Sequence, residues 1–340
     1  MADKIRNWTD RQLSEMEKRI SDIYKDMGKN VVEQWNAFMS QADEEMMELQ
    51  TAYDDAKKSG DKKLTSDLES KLAKAKKEIT FQNEHYQAMI DETTYQLAHV
   101  NETALAYMNG EMPSIYMNNY NDAEADADKL GINFSIMNEA TVKRLITDGE
   151  LSLLRDRLDI PKDQRWNRKQ LNSAVLQGIL GGESMQEIAK RIYPITNRNE
   201  ASAIRNARTM VTYAENKGKI DSMNAMEAEG AVYEKIWMAI PDGRARDWHL
   251  EMDGQAVRNG QYFIDGLGNK LEEPGDKNAP PETVYNCRCG MWRHPIGFRK
   301  ADGRIQKIEF ERPAYTLHEQ QIADERKRRE RETKGKDREK

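Results

Sequence analysis

The apolar residues of the first hundred positions recur at three- and four-residue intervals, a period that fits helix and excludes strand. Thr9 reads as a helix N-cap, and Leu13, Met16, Ile20, Ile23 and Met27 follow on one face. Gly28 is predicted to close that helix and a second to open near Lys29. Val32, Trp35, Phe38, Met39, Ala42, Met46 and Leu49 then form a stripe broad enough for more than one neighbour. Lys57-Lys58-Ser59-Gly60-Asp61 reads as a break. From Leu64 the stripe narrows to Leu64, Leu68, Leu72, Ala75 and Ile79, and beyond Phe81 it widens again through Tyr86, Ile90, Leu97, Val100, Ala104 and Met108. An antiparallel pair of long helices turning near Gly60 accounts for residues 1–110. The methionines within it sit at helical spacing and serve as adaptable core. His85 and His99 lack companion ligands and carry no site.

Periodicity fades over 111–130, where Asn, Asp, Pro and Tyr dominate, so this stretch is expected to be a loop or linker. Its alternating acids, Asp122, Glu124, Asp126 and Asp128, lack the turn glycine and the terminal glutamate of a calcium loop, which leaves a solvated segment. Residues 139–230 read as helical again. Val142, Leu145, Ile146, Leu151, Leu154 and Leu158 form one run, interrupted at Asp148-Gly149. Gly181-Gly182 stops a later helix, and Ser184 with Glu187 forms a capping box for the next. A small α+β unit is expected over 231–295, completing a domain from 131 to 295, and 296–340 reads as an extended arm and a charged, solvated tail. The fold class is therefore mainly α: a helical hairpin, further helices, then a small α+β domain.

Charged residues make up 33% of the chain and the formal net charge is −6, with acids and bases interleaved. That balance gives no bulk electrostatic drive onto DNA or an anionic membrane. No apolar run approaches the length of a membrane span, and the N-terminus has no signal-peptide core.

Chemistry beyond packing is confined to Lys235–Met291. Tyr233 to Ile240 reads as a strand stopped by Pro241-Asp242-Gly243. Ala245 to Glu251 has room for about two helical turns, with Arg246 and His249 on one face. Asp253-Gly254 is a turn. Thr283 to Cys289 reads as extended, so Cys287 and Cys289, the only two cysteines, point the same way. Parallel Cβ vectors suit a shared metal better than a mutual disulfide. His249 would supply a third ligand to a tetrahedral zinc site, and Asp242, Asp247, Asp253 or His294 a fourth. The alternative is that both thiols are small buried hydrophobes.

Lys235-x-Trp237, Asp242-x-Arg244-x-Arg246-x-x-His249, Asp253-Gly254, Phe263, Pro274-Gly275 and Asn286-Cys287-Arg288-Cys289 form a set that resembles the C-terminal domain of phage minor head proteins of the MuF type. Ala207-Arg208-Thr209, preceded by Gly182-x-Ser184-x-x-x-Ile188-Ala189, matches in order and spacing, so the resemblance covers roughly 170–292. Met210 departs from it, standing where the family commonly has an acid. The resemblance implies a non-enzymatic head-morphogenesis protein of the virion, made in host cytoplasm and placed in the capsid interior. It also implies contact with portal, major capsid or scaffold proteins, and with packaged DNA or its delivery. Two rivals come from other classes. One is a metal-dependent hydrolase or nuclease using His249, with Arg246 stabilising phosphoryl charge; two thiolates argue against it, because soft ligands more often close structural sites. The other is a DNA-binding packaging factor driven by Arg205, Arg208 and the basic residues of the tail. For Arg205 and Arg208, ion pairing to the Asp-rich turn of the C-terminal unit is favoured over phosphate contact.

Overall fold

A computed structural model describes residues 2–78, 84–153, 160–180, 185–241, 244–310 and 316–338. Of the residues singled out above, Ile79, Phe81, Leu154, Leu158, Gly181, Gly182, Ser184, Asp242 and Gly243 lie outside this set. The fold is mainly α. Helices α1 (Ala2–Ser59), α2 (Lys62–Glu78), α3 (Glu84–Asn121), α4 (Glu124–Leu130), α5 (Glu139–Thr147), α6 (Ile160–Leu180) and α7 (Met185–Ala228) precede a small mixed region. That region holds β1 (Ala231–Met238), α8 (Asp247–Glu251), β2 (Ala256–Arg258), β3 (Phe263–Ile264), β4 (Lys270–Leu271), α9 (Pro281–Val284), β5 (Gly290–Arg299) and β6 (Ile305–Lys307), and α10 (Thr316–Arg338) follows. No helix among the described residues is long and apolar enough to cross a membrane.

The chain forms two compact units. One comprises residues 18–106 and 158–204. Here Ile20, Tyr24, Met27, Val31 and Trp35 of α1 are buried, as are Ile90, Leu97 and Ala104 of α3, Leu171 and Val175 of α6, and Ile192 and Ile195 of α7. Several polar groups caught in this core are paired with one another. Trp35 Nε1 donates to Thr93 Oγ1 at 2.9 Å, the Tyr24 hydroxyl donates to Asn101, and the Asn101 amide donates to Asn199 Oδ1 at 3.3 Å. Asn199 and Asn167 exchange amide hydrogen bonds of 2.9 and 3.2 Å. The pairs Tyr24–Asn101 and Trp35–Thr93 run in opposite senses, so α1 and α3 are antiparallel, and Gly60, at φ 75°, ends the first arm.

Gly28 does not end a helix as expected: α1 runs through it. A helical glycine costs only about 1 kcal/mol relative to alanine, and buried Tyr24, Met27, Val31 and Trp35 continue one face across the position. A Cβ at residue 28 would make only an ordinary van der Waals contact, 3.7 Å from Thr196 Oγ1 of α7, so the packing there does not demand glycine.

The other unit comprises residues 1–17, 107–157 and 205–340. The loop expected over 111–130 is helical, as the end of α3 and as α4. Met112, Ile115, Tyr116, Asn119 and Tyr120 are buried at helical spacing, and tertiary packing overrides weak local propensity there, Pro113 included. Of the four acids expected to be solvated, Glu124 and Asp128 are exposed, whereas Arg293 of β5 meets Asp122 at 2.7 Å and Asp126 at 3.7 Å. Strands β2-β1-β5-β6 make an antiparallel sheet and β3-β4 a separate hairpin. The tail is likewise not a free solvated segment. Ile322 of α10 is buried in the apolar cluster of Trp237, Leu250, Phe263, Leu271, Val284 and both cysteines, and Arg326 donates to the Leu250 carbonyl.

Candidate metal centre

Strand pairing brings the ends of the site together. Met238, the last residue of β1, faces Gly290, the first of β5, so the chain leaving β1 passes the cysteine loop as it enters β5. After β1, the short helix α8 carries His249 with its ring edge-on to Trp237 and Trp248, at centroid separations of 5.4 and 6.4 Å. Trp237 in turn meets Phe263 at 5.3 Å. These rings fix the imidazole by packing, and His249 is 1% exposed.

The cysteines lie not on a strand but in the loop between α9 and β5. Asn286 holds φ at 60°, a left-handed turn that asparagine tolerates better than most residues, and it turns the chain out of α9. Helix α7 grips this loop from beneath. Thr209 Oγ1 accepts the Asn286 N–H at 2.9 Å, Thr212 Oγ1 donates to the Cys287 carbonyl at 2.6 Å, and Asn216 Nδ2 donates to the Cys289 carbonyl at 3.3 Å. Asn216 also accepts the Met291 N–H at 3.0 Å and donates to the Pro274 carbonyl at 3.2 Å. Arg208 Nη1 donates to Asn286 Oδ1 at 3.0 Å, while its other nitrogens form a fork with Glu17 at 2.6 and 3.2 Å. Among the described residues the charge partner of Arg208 is therefore Glu17 on α1 rather than an acid of the turn after β1. Arg205 is exposed.

Within this frame His249 Nδ1 lies 3.6 Å from the sulfur of Cys287 and 3.6 Å from that of Cys289. The three ligand atoms all fall within 4.8 Å of one another. A tetrahedral zinc ion with Zn–S of about 2.3 Å and Zn–N of about 2.0–2.1 Å has an S···N edge of roughly 3.6 Å, which both separations match. Hydrogen bonding alone explains the pair of equal distances poorly, because a neutral imidazole has a single acceptor nitrogen for two thiols. Backbone N–H groups also face the sulfurs: that of Cys289 donates to Cys287 Sγ at 3.4 Å, and Ile240 supplies one to Cys289. In the metal-free chain the hydrogen bond from Cys289 holds the Cys287 thiol well below its usual range, against burial and with help from His249. The same contact, together with burial, holds Cys289 well above it. The donor set thus suits a soft divalent ion, which would take both sulfurs as thiolates. Among the described residues Nε2 of His249 is buried without a hydrogen-bond partner, and the packing of Trp237 and Trp248 orients this ligand.

Among the described residues His249, Cys287 and Cys289 are the group able to hold a metal. Asp253 does not join it: its Oδ1 accepts the Ala239 N–H at 2.9 Å and ties down the end of β1. Gly254 completes that turn at φ 81°. His294 is five residues beyond Cys289 on an extended strand, some 16 Å of rise, and its ring lies 5.1 Å from that of Trp292. Asp247 pairs with Arg329 of α10. Arg246 precedes α8 rather than sharing a helical face with His249, and donates to the Tyr285 carbonyl. Trp237 and Phe263 are core beneath the site. Thr212 and Asn216 were not singled out from the sequence, although with Thr209 and Lys219 they form a polar stripe at helical spacing, all four buried, among Ala207, Met210, Val211 and Ala214.

Residues 169–292 match the family described as Phage Mu protein F like protein. The chain is also similar to the Minor head protein GP7 of Bacillus phage SPP1, at 24% identity over 197 residues, which is 56% of this chain and 62% of that protein. It therefore spans about three fifths of that relative's length. No solved structure matches. The resemblance to MuF-type head proteins, drawn from the motifs over roughly 170–292, is borne out by these matches.

Proposed function

We propose, from the premise that residues 169–292 are a MuF-type phage head segment, that the chain is a minor head protein acting in head morphogenesis. In this reading it is a non-enzymatic component of the virion, placed in the capsid interior near the portal. Its partners are the portal protein and major capsid or scaffold proteins, with packaged DNA as a further contact. A structural zinc on His249, Cys287 and Cys289 clasps the small C-terminal unit. The observation that carries the clasp is the equal 3.6 Å approach of both sulfurs to one imidazole nitrogen, at a site tied to α7 by Thr209, Thr212 and Asn216. Such a cross-link suits a thin sheet whose own core is small, since metal binding adds directly to folding free energy. Two thiolate ligands and a histidine buried to 1% exposure favour architecture over hydrolysis.

Co-expression with portal, scaffold and major capsid proteins tests the assignment. The chain should co-sediment with assembled shells, and shells formed without portal should recover less of it. Failure to associate with any shell or portal would contradict the reading. Nuclease activity that survives stringent purification and is lost in His249→Ala would overturn its non-enzymatic part.

A further inference from the structure

Helix α7 is not alone in holding the cysteine loop. Residues 2–17, the opening turns of α1, belong to the same compact unit as that loop. They are tethered there by Thr9, whose hydroxyl accepts from Asn119 Nδ2 at 3.0 Å, and by the fork between Glu17 and Arg208. From the same turns Arg6, its side chain largely buried, donates from Nη2 to the Arg288 carbonyl at 2.9 Å. That carbonyl belongs to the peptide joining Arg288 to Cys289, so the guanidinium grips the backbone between the two sulfur ligands. Its Nη1 lies 3.8 Å from Glu215 of α7, a buried carboxylate that Lys219 also meets at 2.6 Å. Charge on both partners makes such a hold stronger than a neutral contact.

Gly290, the residue after Cys289, makes room for this arrangement. It is not among the glycines at positive φ, so backbone conformation does not call for glycine there. A Cβ at 290 would instead overlap Arg6 Nη1 outright. The obstructing atom is the far end of a flexible side chain, so Gly290→Ala would evict the guanidinium and leave the backbone in place.

We propose that Arg6 is a positioning residue of the metal centre: it fixes the peptide that aims Cys289 at the ion, and so couples metal occupancy to the docking of residues 2–17. This rests on the zinc reading above and deepens it. The coupling runs both ways, since whatever the docked segment adds to metal affinity the metal returns to docking.

Zinc-loaded full-length protein tests this through the rate at which a chromophoric chelator removes the metal. Arg6→Ala should speed removal about tenfold, as loss of a group that orients a metal ligand does, and Gly290→Ala should speed it in the same way. The double variant should be no faster than the faster single, because both substitutions remove one and the same contact. In wild type, where no substitution has to be tolerated, stripping the zinc should raise amide hydrogen exchange more over residues 2–17 than over 18–106. Removal rates unchanged in both single variants, effects that multiply in the double variant, or exchange that rises equally over the two ranges would each overturn the positioning role and leave the zinc reading standing. Wild-type protein with no zinc to release defeats that reading and this inference together.

Discussion

His249, Cys287 and Cys289 form the group able to hold a metal among the described residues, and two of them were conspicuous because the chain has no other cysteine. Their partnership with His249 was legible because thiols two residues apart point one way and histidines are few. Their loop conformation was not legible, since it depends on the left-handed backbone of Asn286 and on hydrogen bonds from α7, which lies some 75 residues earlier. Cys287→Ser should abolish tight zinc binding and lower the melting temperature; an unchanged melting temperature with full zinc retention would contradict the assigned ligands. A second buried group makes a pH prediction. Burial, with Asp276 and Glu272 nearby, raises the pKa of Glu273 from 4.5 to about 8. Between those values the folded chain holds a proton that the unfolded chain releases, so this group makes stability fall as pH rises from about 4.5 to about 8. Urea unfolding across that range should show a shallower decline in Glu273→Gln than in wild type; identical slopes would contradict the assignment.

Helix α7 is the element on which the C-terminal unit is built. Gly218 lets it meet α3 backbone to backbone: a Cβ there would lie 2.5 Å from the Tyr116 carbonyl oxygen and 3.1 Å from the Tyr120 nitrogen. Gly218→Ala should therefore cost about 1–3 kcal/mol by overpacking, measured by chemical denaturation, and a neutral result would contradict the close crossing. Helix periodicity made α1, α3 and α7 recognisable, but not their ends. Gly28 and residues 111–121 look like breaks when only neighbours in sequence are considered, whereas burial of Val31, Trp35, Ile115 and Tyr116 carries the helices through. The highly charged α10 conceals its contact because, among the described residues, one apolar side chain makes it together with Arg326 and Arg329. Ile322, 3% exposed, packs into the cluster that contains both cysteines, so Ile322→Ala should cost about 2 kcal/mol or more. Unchanged stability in that variant would argue that α10 does not dock.

For the whole molecule, compactness follows contacts rather than chain order, and α1, α3 and α7 each contribute to both units. No local pattern in a long helix announces which of its turns belong to which unit. The central proposal is that a metal on His249, Cys287 and Cys289 holds the C-terminal unit together, because its sheet is small. Metal content of the full-length protein, purified without chelator or added metal, is the most direct measurement of that claim. The account predicts about one zinc per chain, and a fall in melting temperature when the metal is stripped and restored stability when it returns. Wild-type protein that carries no metal and retains full stability would contradict it.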